Sequence, residues 1–243
     1  NKMSAHADTV ALHGWTAVPV DDKAILNGRP YINKPTPLLV KDINLPLDDP
    51  IVAHVHAYTK EQLSPQTFNH SMRVYYFAMA ILRQQFPTHT LSPSTLAITS
   101  LLHDIGATAS HLRATQLSFE FYGGILALNL LQSSPLNAPQ SQAEAVAEAI
   151  IRHQDIGTVG NITFLGQLIQ LATLYDNLGG NPEIVHEATR DDVNREFPRG
   201  GWAECFAGVI REELALKPWA HTTHLGEKEF EEGVLGNELM RKY

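Results

Sequence analysis

Three times in the first half of the chain a capping residue and a proline introduce an apolar run: Asp49-Pro50, Ser64-Pro65 and Ser92-Pro93. An Asp or Ser side chain accepts a hydrogen bond from the free amides of a first helical turn. Proline is tolerated at the first helical position because its missing N–H would have no partner there. Each pair therefore opens a helix. After Ser64, apolar residues recur at Val74, Phe77, Ala78, Ile81 and Leu82, the spacing of a helical stripe. Later segments such as "SQAEAVAEAIIRHQ" and "TFLGQLIQLATLYDNLGG" follow the same period. No segment shows a sustained two-residue alternation, so the expected fold class is all-α.

Seven of the 14 prolines lie before residue 66. Internal proline removes a backbone donor and clashes with the preceding turn. Residues 1–50 are thus expected to form an irregular arm with short helices. Stretches such as "WTAVPV" and "PLLV" are too apolar for disorder, so the arm should pack on the core or on a partner subunit. Residues 51–243 read as a single helical domain. An apolar arm of this kind suggests a homodimer or larger homo-oligomer.

With 44% apolar and 18% charged residues, the composition is that of a globular protein. The net charge of −8 disfavours nucleic acid as a partner, since that affinity rests on phosphate neutralisation by Lys and Arg. No run approaches the roughly 18 apolar residues of a membrane span, and the first 15 residues lack a signal-type apolar stretch. Cys205 is the only cysteine and lies in a helical pattern beside Phe206, which favours a buried structural thiol. Without a partner for a disulfide, a reducing compartment is the simpler reading, and a cytoplasmic location is expected.

Several polar residues continue apolar helix faces. His70 lies four before Val74 and seven before Phe77. His103 lies four after Thr99 and seven after Leu96, and His153 four after Ala149 and seven after Val146. Asp176 lies four after Ala172, seven after Ile169 and eleven after Leu165. Residues at these offsets share a face. Asp104 follows His103 where a loosened last turn can direct both inward. Each residue alone has a bland reading: a hydrogen-bonded core histidine, or an aspartate closing a turn before Gly106 or Gly179. Together they are harder to dismiss. A carboxylate at a helix C-terminus opposes the helix dipole, and an unpaired buried one costs several kcal/mol. A shared divalent cation would satisfy all of them.

The order His70, His103-Asp104, Asp176 on successive helices resembles the H…HD…D pattern of the HD-domain superfamily of metal-dependent hydrolases. The context of the pattern is "NHSMRVYYFA", "LLHDIG", "IIRHQD" and "LATLYDN". Within that superfamily the chain resembles the fungal cyanamide hydratases, through "HGWTAVPVD", "HSMRVYYF", "SFEFYGGILAL" and "AIIRHQDIG". The resemblance implies an HD-domain helical bundle, one zinc ion and hydration of cyanamide to urea. Phosphodiesterase branches often carry lysine after the HDIG motif, where this chain has Ala107. Arg73 and Arg152 flank motif histidines and are expected to be solvated. The acidic net charge and Ala107 together favour a small uncharged nitrile over a phosphate.

The expected metal ligands are His70, His103, Asp104 and Asp176, with zinc the expected ion and iron or manganese open alternatives. Water made acidic by the ion would attack the nitrile carbon, and Asp104 belongs to this reaction centre as well. His153 is the candidate for moving the proton to the imino nitrogen, since imidazole titrates near neutrality. Thr173, three residues before Asp176, can reach the same pocket to orient water or substrate. Asn69, Glu120 and Asn177 are weaker candidates for binding substrate. His54, His56, His111, His186, His221 and His224 are expected at the surface or in packing. Two other readings remain open: a metal-dependent phosphohydrolase acting on a nucleotide or related ester, and a non-enzymatic helical binding module.

Overall fold

The computed structural model describes residues 2–243; residue 1 of the expected arm lies outside the described residues. The elements in chain order are α1 (Lys2–Leu12), β1 (Ala17–Pro19), α2 (Asp22–Ile25), α3 (Pro50–Gln62) and α4 (Pro65–Gln85). Then come α5 (Pro93–Leu102), α6 (Ala109–Ala114), α7 (Phe119–Gln132) and α8 (Gln140–Arg152). The chain continues with β2 (Asn161–Thr163), α9 (Phe164–Leu178), α10 (Glu187–Glu196), α11 (Trp202–Leu216) and α12 (Glu229–Leu235). The fold is mainly helical, as the helix signals require. Asp49 accepts from the Ile51 amide, Ser64 from Thr67 and Ser92 from Thr95, each with proline in the first turn. Gly179 closes α9 in the left-handed conformation, at φ 66°.

The core is built around α4, which packs between α5 and α9, while α8 bridges α5, α7 and α9. Thirteen consecutive residues of α4, from His70 to Leu82, are buried. Surrounded on all sides, the helix has no solvent face on which to place its polar residues. The charged and imidazole groups of this stretch, Arg73 and His70, must therefore find partners inside.

Residues 13–49 lie along their own chain's helices. Proline-rich backbone cannot pair within itself, so core side chains satisfy it. Gln85 Oε1 accepts from the amides of Ile32 and Asn33, and Asp192 Oδ2 accepts from Val40. Tyr75 donates its hydroxyl to the Asn44 carbonyl at 2.6 Å. β1 pairs antiparallel with β2, with Val18 opposite Ile162. This two-stranded sheet differs from the all-helical expectation, because three residues are too few to display alternation. Among the described residues no helix is long and apolar enough to cross a membrane.

Candidate metal centre and adjoining cavity

His103 and His153 stand at equivalent places, each the residue that ends its helix, α5 and α8 respectively. The last carbonyls of a helix lack intrahelical partners. Each histidine supplies one, returning its Nδ1 to the carbonyl three residues back: His103 to Ser100 at 2.7 Å and His153 to Ile150 at 2.6 Å. A carbonyl only accepts, so Nδ1 carries the hydrogen and Nε2 presents a lone pair. His70 on α4 has the same tautomer, because its Nδ1 donates to the Asp176 carboxylate at 2.7 Å. Three Nε2 lone pairs thus point toward one place.

That place is next to Asp104. After His103 the chain leaves α5 into a single 3-10 turn, Ile105–Ala107, which lies against α7. Gly106 makes the contact possible, since a Cβ there would fall 2.0 Å from the Phe119 carbonyl oxygen. The turn holds the Asp104 carboxylate inside, with Oδ2 3.3 Å from His103 Nε2 and 3.5 Å from His70 Nε2. His153 Nε2 stands 4.0 Å from the other oxygen, Oδ1. Ala107 sits in a small apolar cluster with Leu112 and Phe119, where a lysine would be buried.

Among the described residues, His70, His103 and Asp104 form the group whose ligand atoms all lie within 4.8 Å of one another. All three are 0–1% exposed. Two features fit a divalent cation. Asp104 Oδ2 is buried without a hydrogen-bond partner, which is costly for a carboxylate unless a cation compensates. The two Nε2 atoms of His70 and His103 approach to 3.1 Å although both carry lone pairs. Nitrogen and oxygen donors of this kind suit zinc, iron or manganese. Burial pushes the His70 pKa down to about 4 despite the opposing pull of Asp176, so the ring is neutral and available as a donor. Burial opposes ionisation of Asp104, but the neighbouring His103, His70 and His153 hold its carboxyl well below the usual range. Burial and the neighbouring His103 likewise lower the pKa of His153.

Asp176, expected among the ligands, stands outside this cluster. Its Oδ2 accepts from His70 Nδ1 and from Arg73, and its Oδ1 accepts from Arg73 Nε at 3.0 Å and Arg199 Nη1 at 2.7 Å. Both oxygens are committed on the far side of His70. Burial alone would favour the neutral acid, yet Arg199 and Arg73 keep the carboxyl well below the usual range. Arg73 is correspondingly fully buried and not solvated, because it lies three residues after His70 on the same inward face. Arg152 is half-buried, bonded to Asp155 and the Asn161 carbonyl.

Trp202, at the start of α11, stacks on His70 with centroids 4.2 Å apart and planes 13° apart. Its indole N–H donates to Asn177 Oδ1 at 2.7 Å. An indole N–H is donor-only, so the Asn177 amide must turn its oxygen that way, leaving its NH2 as the donor end.

His153, Thr173 and Asn177 all line one cavity of about 10 Å3, room for about one water. Gln154 adds a fourth polar side chain, and Ile156, Leu174, Leu178 and Phe230 complete the wall. No Lys or Arg lines it. Thr173 donates its hydroxyl to the Gln170 carbonyl, so its oxygen remains an acceptor.

Two of the weaker sequence candidates fall elsewhere. Asn69 donates to the Pro198 carbonyl, since neighbours on a helix point about 100° apart and His70 takes the inward direction. Glu120 is fully buried but accepts from His221 Nδ1 at 2.7 Å and does not line the cavity. His221 is therefore more than a surface residue: its pKa is raised by the hydrogen bond to Glu120. Sequence reading also missed Arg199, Trp202, Gln154 and Phe230, which reach the site from loops or from α11 and α12. Only Gln154, next to His153 in "IIRHQD", carried any signal.

The HD domain family model matches residues 67–178, the span from the start of α4 to the end of α9. Two curated proteins of Saccharomyces cerevisiae, Cyanamide hydratase DDI2 and Cyanamide hydratase DDI3, are each 41% identical to this chain over 226 residues. The alignments cover 93% of this chain and 96% of either relative. HD domains bind divalent metal ions, and the buried His70–His103–Asp104 group fits one. The chain belongs to the cyanamide hydratase family of HD-domain proteins.

Proposed function

We propose that the protein hydrates cyanamide to urea in the cytoplasm, with a zinc ion held by His70, His103 and Asp104. The observation that carries this reading is the pairing of that nitrogen–oxygen donor set with a small adjoining cavity lacking Lys or Arg. A phosphate ester would bring charge into a cavity that offers no cation to meet it. Cyanamide has three heavy atoms and no net charge.

When bound, the ion supplies Lewis-acid polarisation of the nitrile and lowers the pKa of water toward neutrality. The chain's own groups do the rest. His153 Nε2 carries a lone pair facing the reaction centre, since its Nδ1–H is fixed on Ile150. It takes a proton from the attacking water and returns it to the nitrile nitrogen as the C–O bond forms. The product is isourea, which tautomerises to urea. Asp104 Oδ1, 4.0 Å from His153 Nε2, stabilises the imidazolium that forms in passing. Thr173 Oγ accepts from the cyanamide amino group, and the Asn177 amide NH2 donates to the nitrile nitrogen.

Metal analysis and a urea-release assay on the same purified sample test the reading. About one zinc per chain and urea from cyanamide without added cofactor are expected. Phosphate released from a nucleotide with no urea from cyanamide would overturn it in favour of a phosphohydrolase. Folded protein that takes up no metal would place the chain among binding modules.

A further inference from the structure

We propose that Phe230 sets the upper size limit of the substrate, closing the cavity over Leu178. This rests on the cyanamide-hydrating reading above and adds what that reading leaves open: which nitriles larger than cyanamide the cavity admits. Seven of the cavity's walls come from residues 153–178; Phe230, on α12, is the one contributed by the C-terminal part of the chain. Removing its ring therefore opens the cavity without changing any wall residue between 153 and 178.

The position of the ring is determined on several sides. It packs edge-on against Phe206 at 5.9 Å, and Phe206 stacks on Trp202 at 5.2 Å. Trp202 in turn covers His70. α12 lies close on the end of α9 because Gly233 has no side chain: a Cβ there would come within 3.0 Å of Leu178 Cδ2. Beyond α12, Asn237 donates to the Asp176 carbonyl at 3.0 Å, tying the segment to α9. Phe230 itself is 6% exposed. A ring held this way gives an added methyl group no space on its side of the cavity.

The excluded class is the N-alkyl cyanamides. Their hydration is the same reaction: water oxygen bonds to the nitrile carbon, and both water protons end on the former nitrile nitrogen, giving an N-alkylurea. An apolar wall discriminates one methylene by about 10- to 200-fold. The wild-type protein should therefore favour cyanamide over N-methylcyanamide in kcat/KM by at least about tenfold. Phe230→Ala should raise the ratio of N-methylcyanamide to cyanamide turnover by about tenfold or more, with Phe230→Leu in between. Leu178→Ala, at another wall of the same cavity, should shift it in the same direction if Phe230→Ala fails to fold. A purely structural loss would lower both substrates together and leave the ratio where it was. Urea from cyanamide with an unchanged ratio in both alanine variants overturns the size limit alone, as does a wild-type protein that hydrates both substrates equally. No urea from the wild-type protein overturns this inference and the proposed function together.

Discussion

His70 donates its Nδ1–H to Asp176 Oδ2 across 2.7 Å, and two arginines hold that carboxylate from its other sides. The pair is buried completely. Its effect is to keep His70 in one tautomer and one ring orientation, with Nε2 toward His103 and Asp104. Partners that orient a ligating imidazole in this way are commonly worth 10- to 100-fold in metal affinity.

Asp176→Ala should therefore lower metal affinity by about 10- to 100-fold. It should also destabilise the fold by about 3–5 kcal/mol, since Arg73 and Arg199 would be left buried and unpaired. A chelator competition measures the first effect and denaturant unfolding the second. Unchanged metal affinity would show that the orientation of His70 has another source.

His103→Ala and Asp104→Asn remove donors from the cluster itself. Both should lose bound metal and urea production together. His153→Gln should keep the metal and lose about 10²- to 10⁴-fold in kcat, the usual range for a proton-transfer group. Full activity in that variant would remove His153 from the mechanism.

Gly106→Ala places a methyl group where the Phe119 carbonyl already stands. The 3-10 turn must lift off α7, and Asp104 moves with it. A loss of about 3 kcal/mol, at the upper end for overpacking, is expected by denaturant unfolding. Metal content should fall in the same variant. A fully stable, fully loaded Gly106→Ala protein would contradict the packing described.

The His221–Glu120 pair gives stability a pH dependence. The hydrogen bond to Glu120 raises the folded pKa of His221 above its ordinary 6.5. A raised folded pKa means that the charged ring stabilises the native state below about pH 6.5, and that this is lost as pH climbs past the folded value. The unfolding midpoint of the wild-type protein should thus exceed that of His221→Gln by more at about pH 6 than at about pH 9. The pair is partly exposed, so the difference will be modest and smaller at high salt. A gap that widens with rising pH would contradict the assignment.

The helix starts at Pro50, Pro65 and Pro93, and the inward faces carrying His70, His103, His153 and Thr173, follow from the chain itself. Capping and helical period are local properties, complete within one or two turns of sequence. The HD order pointed to the His70–His103–Asp104 group for a similar reason, since each residue type reports its own chemistry. Local information also misled. Asp176 shares an inward face with the ligands, yet its oxygens meet two arginines and the back of His70. Arg73 has the charge of a surface residue, but lies on a helix with no surface. Arg199, Trp202 and Phe230 lie beyond the HD segment, and no spacing links them to it.

What the sequence by itself determined is which side chains turn inward and what donor atoms they bring. Only the tertiary structure decided which of those atoms face the cluster, which stand behind it, and how small a cavity Phe230 leaves beside it. The physical reason is range: a helix face is set by neighbours three and four residues away, whereas each contact at the site depends on how helices distant in sequence pack together.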